Sequence, residues 1–256
     1  MTELQRLDKR IGERFVKAFA TYRLLEDGDR VLVGLSGGKD SLCLTEMLGR
    51  RARIHHPRFT VEALHVRMQD VDYRTSTDYI EQFCRDLGVP LHIVTTSFPQ
   101  PPETEPRNGH GMGTDDLRTA HAKEKPVCFL CSWQRRKQLF NMAQQLGCNK
   151  IALGHHQDDL LVTALMNLFY QSRFATMPPS LQMEKMPLRI IRPLCLVPEA
   201  DIARYAELRL YEKQVKLCPH EAETQRTAMR RLLDSVTAAN PEARHSLWNA
   251  IVNAQK

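Results

Sequence analysis

Long hydrophobic runs are missing from this chain. The longest strongly apolar stretch, Leu160 to Tyr170, falls well short of the roughly 20 residues that a bilayer-spanning helix needs. No membrane span is expected. The opening run MTELQRLDKRIGERF has no apolar core, so no secretory signal is expected either. There is no internal repeat and no low-complexity tract, which argues against a solenoid. The seven cysteines are an odd number, so at least one thiol has no disulfide partner. Without a signal, that favours a reducing cytoplasm, with thiols kept free or used as ligands. Neither sign of charge dominates: 36 Lys+Arg against 30 Asp+Glu leave +6. This is a mild hint of a polyanionic partner. What is present is ordinary for a folded protein, with 42% hydrophobic and 26% charged residues over 256 positions. That length buries a sizeable core in one large domain or one domain with an appendage.

Residues 3–25 read as an amphipathic helix, with Leu4, Leu7, Ile11, Phe15, Ala18, Tyr22 and Leu25 recurring every three or four positions. Short apolar runs at 31–35, 61–66, 91–94, 151–153 and 190–191 read as buried strands. Helices are expected over about 40–51, 77–87, 132–146, 160–170 and 198–210. Two more are expected between 221 and 253, broken near Asn240-Pro241. Residues 97–126 carry five prolines and three glycines and little apolar periodicity, the signature of a long functional loop or a disordered one. Alternation of strand and helix predicts an α/β fold, a parallel five-stranded sheet with helices on both faces and helical additions at both ends. The expected division is 1–28, 29–200 and 201–256. Such sheets bind ligands at the carboxyl ends of their strands.

Four clusters carry chemistry. Gly34-Leu35-Ser36-Gly37-Gly38-Lys39-Asp40-Ser41 lies between the first strand and a helix. Its glycines permit close backbone approach to an anion, and the helix start offers unpaired N–H groups. It fits neither the Walker A spacing nor the dinucleotide G-x-G-x-x-G. Gly154-His155-His156-Gln157-Asp158-Asp159 opens a later helix. Its carboxylates serve either as helix-start compensation or, if the two turns share a sheet edge, as Mg²⁺ ligands beside phosphates. Cys128-Phe129-Leu130-Cys131 and the distant Cys218 allow three readings: a dithiol redox pair, a Cys₃His zinc site with His220, or an iron–sulfur cluster with one open iron. Spacing alone leaves these open. The remaining thiols, Cys43, Cys84, Cys148 and Cys195, read as buried small hydrophobes. Basic groups recur at 50–53, at Arg135-Arg136-Lys137 and at Arg226 with Arg230-Arg231. Each reads first as a solvated helix face. The middle one adjoins the CxxC and is the candidate RNA-binding patch. Phe129 and Trp133 are expected chiefly to pack in the core.

SGGKDS after VLVGL resembles the PP-loop ATP pyrophosphatases, with their adenine nucleotide alpha hydrolase-like fold. PVCFLCSWQRRKQLF, GHHQDDLLVTALMNLFY, MPPSL and IIRPL, in this order, resemble the tRNA 2-thiocytidine synthetase branch; the likeness covers roughly residues 10–235. It implies ATP on Ser36, Gly37, Gly38, Lys39, Asp40 and Ser41, with His65 and Met68 near the adenine and Gly154 and His155 beside the nucleotide. It implies Lys39, Asp40 and Asp159 as catalytic groups, and Asp158 and Asp159 as Mg²⁺ ligands. It implies a [4Fe–4S] cluster on Cys128, Cys131 and Cys218. The implied activity is a cytoplasmic ATP-dependent tRNA sulfurtransferase. A sulfur donor such as a cysteine desulfurase, an electron donor, a homodimer and no membrane partner go with it. Two alternatives remain: adenylation of another RNA base or a small molecule, or a nucleotide-binding protein clipped by zinc.

Overall fold

The computed structural model describes residues 1–69, 71–73, 75–97, 127–217 and 225–254. The first half runs α1 (Glu3–Tyr22), β1 (Asp29–Gly34), α2 (Lys39–Ala52), β2 (Phe59–Met68), β3 (Asp72–Tyr73), α3 (Asp78–Leu87) and β4 (Leu91–Thr96). The second half runs α4 (Val127–Gln145), β5 (Lys150–Ala152), α5 (Gln157–Gln171), β6 (Ser180–Gln182), β7 (Arg189–Ile191), α6 (Glu199–Leu208), β8 (Lys216–Leu217), α7 (Gln225–Ala239) and α8 (Ala243–Ala254).

The main sheet has the order β4-β2-β1-β5-β7-β6. The five expected strands are all present and parallel to their neighbours. The expectation of five strands is corrected to six, because β6 adds an antiparallel edge to β7. Ser-Leu-Gln at β6 is short and mostly exposed, so no apolar pattern announces it; the turn back to β7 makes the strand. A separate pair, β3 with β8, is antiparallel. The 97–126 loop lies outside the described residues from 98 onward.

Central strands of parallel sheets are covered on both faces, and β1 shows it. Val31 and Val33 enter one core with α1, α2, α5 and α6, whereas Leu32 enters a second core with Leu64, Ile151 and Ala143 of α4. Thr2 caps α1 through its hydroxyl, and Gln5 returns the bond to the Thr2 backbone. This reciprocal arrangement satisfies two N–H groups that a helix start leaves unpaired. The face carrying Leu7, Ile11, Phe15 and Ala18 is buried. At the amino edge of the sheet, Lys150 Nζ lies 2.6 Å from Asp29 Oδ2 and donates to the Leu24 carbonyl at 2.9 Å. A buried ammonium needs such partners. This one ties the start of β1 to the start of β5.

The chain leaves β1 toward β2 and β4, then returns to the other side at β5 and β7. Strand order therefore reverses between β1 and β5. A crevice opens at their carboxyl ends, the usual ligand position in an open α/β sheet. Among the described residues no helix is long and apolar enough to cross a membrane.

Candidate active site at the sheet switch point

The turn after β1 is shaped before any ligand arrives. Gly37 has φ +79°, a left-handed conformation that costs L-residues energy. A side chain there would also place its Cβ 2.7 Å from Cγ of Gln214. Ser41 Oγ accepts from the Ser36 N–H at 3.1 Å and donates to the Gly38 carbonyl at 2.9 Å. The Gly37 carbonyl accepts from the Gln214 N–H at 3.0 Å. Gly38 caps α2 with extended backbone and no side-chain bond, so the first N–H groups of α2 keep their anion-binding character.

The turn after β5 meets it closely. A Cβ on Gly154 would stand 3.1 Å from the Asp40 carbonyl carbon and 3.2 Å from the Ser41 nitrogen. Glycine is what lets the two turns share one edge. Together they line a cavity of about 300 Å³, with walls from Ser36, Asp40, Ser41, Gly154, His155 and Asp159, and with Arg135 of α4 closing one side. A larger hollow of about 1220 Å³ opens at the opposite edge, around Asp27, Arg30, Arg53 and Arg58. Among the described residues of the four clusters, only the 50–53 group reaches it, through Ala52 and Arg53. The smaller cavity, where the motifs converge, is the candidate site.

Charge beside the Ser36–Ser41 turn is dense and paired. Lys39 Nζ lies 3.0 Å from Asp40 and 2.9 Å from Glu199 Oε1. Asp158 is buried: its Oδ2 accepts from the Glu199 N–H at 2.7 Å, and its Oδ1 pairs with Arg244 of α8. Asp159 accepts from the His156 N–H at 3.1 Å through Oδ2, and its Oδ1 meets Arg226 of α7 at 2.5 Å. Arg230 pairs with Glu199. Burial alone raises the Asp159 pKa, but His156 and Arg226 outweigh it and hold the carboxyl below its ordinary value. Burial, aided by the charge of Arg192, pushes His155 down to about 4. Burial lowers His156 as well. The His155 imidazole is therefore neutral near pH 7.

Several expected residues converge here and others do not. Ser36, Asp40, Ser41, Gly154, His155 and Asp159 line the cavity, whereas Gly37, Gly38 and Lys39 belong to the same turn without being among its walls. His65 is not among the cavity walls; it is buried, and its Nδ1 bonds the Leu35 carbonyl at 2.7 Å, tying β2 to the loop. Met68 is buried, and its N–H donates to Tyr73 Oη at 3.0 Å. Asp158 turns toward α6 and α8, whereas Asp159 lines the cavity. The basic patch splits: Arg135 faces the cavity and donates to Tyr73 Oη at 3.2 Å, while Arg136 is exposed and Lys137 sits over the Trp133 ring at 5.3 Å. Phe129 is 50% and Trp133 46% exposed among the described residues, which corrects the expectation that they pack in the core.

Cys131 is half-buried on α4. The side chain of Cys128 and all of Cys218 lie outside the described residues. β8 ends at Leu217 and pairs with β3, whose Tyr73 bonds Arg135, about one turn beyond Cys131. Cys43, Cys84, Cys148 and Cys195 are buried. Among the described residues no group of three or more His, Cys, Asp or Glu is placed to hold a metal. Glu199, Arg226, Arg230, Arg244, Tyr73 and Gln214 belong to the site or its support and were not singled out for it. Arg226 and Arg230 read as a solvated helix face; their i,i+4 spacing was the one signal, and it names no partner.

No family model matches this chain. It is 33% identical over 253 residues to the tRNA-cytidine(32) 2-sulfurtransferase of Alkalilimnicola ehrlichii, covering 98% of this chain and 75% of that one. It is 32% identical over 252 residues to the enzyme of that name from Geotalea uraniireducens, covering 98% and 93%. The U34-tRNA thiolase NcsA from Methanococcus maripaludis, solved with its [4Fe–4S] cluster, superposes with a TM-score of 0.72 at 23% identity, over 98% of this chain and 79% of that one.

Proposed function

The chain belongs to the tRNA-cytidine(32) 2-sulfurtransferase family, and from that premise we propose that it uses ATP to replace the C2 oxygen of an anticodon-loop cytidine with sulfur. ATP adenylates the C2 carbonyl oxygen and pyrophosphate leaves. Sulfur then attacks C2, and AMP departs with the oxygen. Adenylation converts a poor leaving oxygen into a good one. One observation carries the reading: the helix that bears Cys131 also supplies Arg135 to the wall of the phosphate-loop cavity. Sulfur chemistry and nucleotide chemistry then share one crevice.

The chain's own groups divide the work. The Ser36–Ser41 turn and the start of α2 hold the phosphates. Lys39 balances charge developing on the departing pyrophosphate. Asp159 lines the cavity and is the carboxylate that would hold Mg²⁺, which takes one or two carboxylates plus phosphate oxygens. Asp158 is buried, is not among the cavity walls and holds the α6 start and Arg244, so it supports the site from behind. Asp40 keeps Lys39 in place. Gly154 and His155 line the nucleotide, while His65 and Met68 hold the β2 end that borders it. Cys128, Cys131 and Cys218 are the proposed cluster ligands. The donor set fits: Cys131 is accessible, and the four buried thiols are set apart in the core. When bound, a [4Fe–4S] cluster with an open iron supplies the sulfur-carrying position. Arg135, Arg136 and Lys137 are the tRNA-binding patch. A sulfur donor such as a cysteine desulfurase, an electron donor, a homodimer and a cytoplasmic setting complete the proposal, as does the division at residues 28 and 200.

A Cys131→Ala variant tests the role of the triad. The expected result is lost iron and lost tRNA thiolation, with ATP binding and melting temperature kept. Zinc in place of iron in anaerobically prepared protein, with a lower melting temperature in the variant, would support a structural clip instead.

A further inference from the structure

Each carboxylate at the phosphate end of the cavity faces a cation, and all but Asp40 face one from a different element. Asp40 faces Lys39, Asp158 faces Arg244, Asp159 faces Arg226, and Glu199 faces both Lys39 and Arg230. The field there is largely cancelled, which is a poor reception for a polyanion unless some pairs open. The pairs are not equivalent. Arg244 is braced a second time by Asp234 at 2.7 Å, and Asp158 is only 7% exposed. That pair is built to stay. Arg226 and Arg230 are 42% and 33% exposed and sit at the rim. Rim ion pairs are weak, and a guanidinium fork fits phosphate oxygens as well as it fits a carboxylate.

The two arginines stand four residues apart on α7. They converge on Asp159, at 2.5 Å and 3.9 Å, and Asp159 lines the cavity. Arg230 also holds Glu199, whose other oxygen is 2.9 Å from Lys39. Their guanidinium groups thus border the place where phosphates would meet the loop.

We infer that Arg226 and Arg230 are exchangeable phosphate ligands. In the nucleotide-free enzyme they are held by Asp159 and Glu199, and when a triphosphate arrives they pass to its outer phosphates. They thereby select a nucleoside triphosphate over a monophosphate. This rests on the ATP reading above. It assigns to α7 a role in substrate choice that the phosphate loop alone does not provide.

The test is calorimetric titration of the full chain with ATP and, separately, with AMP, first with divalent cations chelated and then with Mg²⁺. Arg226→Ala/Arg230→Ala is expected to weaken ATP at least about 30-fold while leaving AMP within about threefold. Arg226→Lys/Arg230→Lys keeps the charge without the fork and should fall between. Asp159→Asn removes the carboxylate that competes for Arg226, and should tighten chelated ATP about threefold or more over wild type. The gain should vanish in Arg226→Ala/Asp159→Asn; an equal gain there would be relief of carboxylate–phosphate repulsion alone and would overturn the handover. Equal losses for ATP and AMP, or unchanged ATP affinity in the double variant, would overturn the inference and leave the enzymatic reading standing. Wild-type protein that binds no ATP at all would remove both.

Discussion

Gly37→Ala is the sharpest perturbation of the phosphate loop. The residue sits at φ +79°, where an L-residue costs about 1–2 kcal/mol. The new Cβ would lie 2.7 Å from Gln214 Cγ and 2.9 Å from Gln214 Cβ. Those atoms are close to the Gln214 backbone, so the side chain cannot simply swing away. Moving it strains the 3.0 Å bond from the Gln214 N–H to the Gly37 carbonyl, a bond worth about 1 kcal/mol. The combined cost is about 2–3 kcal/mol, met by reshaping the loop. At about 1.4 kcal/mol per factor of ten, ATP affinity should fall by roughly 30- to 150-fold. Isothermal titration measures the loss, and a thermal melt on the same samples checks that the fold persists. Gly37→Ala/Gln214→Gly removes the collision but not the backbone strain, and should regain part of the affinity. A folded Gly37→Ala protein that binds ATP within about threefold of wild type would refute the claim that this backbone shape is what holds the phosphates.

Two further predictions follow from buried titrating groups. His155 is held down to about 4 by burial and by Arg192. As pH falls from 6.5 toward 4, the unfolded chain takes up a proton that the folded one refuses, so stability drops through that window by up to about 3 kcal/mol. Urea unfolding at pH 7 and pH 4.5 should show that loss shrinking by about 2 kcal/mol in His155→Gln; equal losses would mean His155 is not the group responsible. Burial pushes the thiols of Cys84 and Cys195 up to about 12 and that of Cys148 to about 11, and it raises Cys43 too. Brief maleimide treatment at pH 7.5 with peptide mapping should label Cys131 well before any of these four, and early labelling of one of them would show that the core is open.

The five parallel strands of the main sheet were legible because they are short apolar runs between punctuating glycines and prolines. Residues 31–35 and 151–153 had to lie near the sheet's centre, since both of their faces are apolar. The phosphate loop was legible for a different reason: its glycines and hydroxyls are contiguous, so local sequence holds nearly the whole unit. β6 was invisible because a polar edge strand is defined by its partner. The pairing of Asp159 with Arg226, 67 positions apart, was invisible for the same reason. His65 shows the limit from the other side. The apolar run that carries it into β2 was legible, yet the direction of its ring, toward the Leu35 carbonyl, is set by packing between β1 and β2. Asp158 and Asp159 are adjacent in sequence, but successive helix positions face about 100° apart, which sends one into the support and the other into the cavity.

The central claim is sulfur transfer to a cytidine, and nucleoside mass spectrometry of tRNA tests it most directly. tRNA from a strain lacking this gene is digested and compared with tRNA from its parent and from a strain complemented with the wild-type or the Cys131→Ala gene. The expected result is that 2-thiocytidine disappears with the gene, returns with the wild-type copy and stays absent with Cys131→Ala, while 2-thiouridine is unchanged throughout. Undiminished 2-thiocytidine in the deletion strain, or a loss confined to 2-thiouridine, would contradict it.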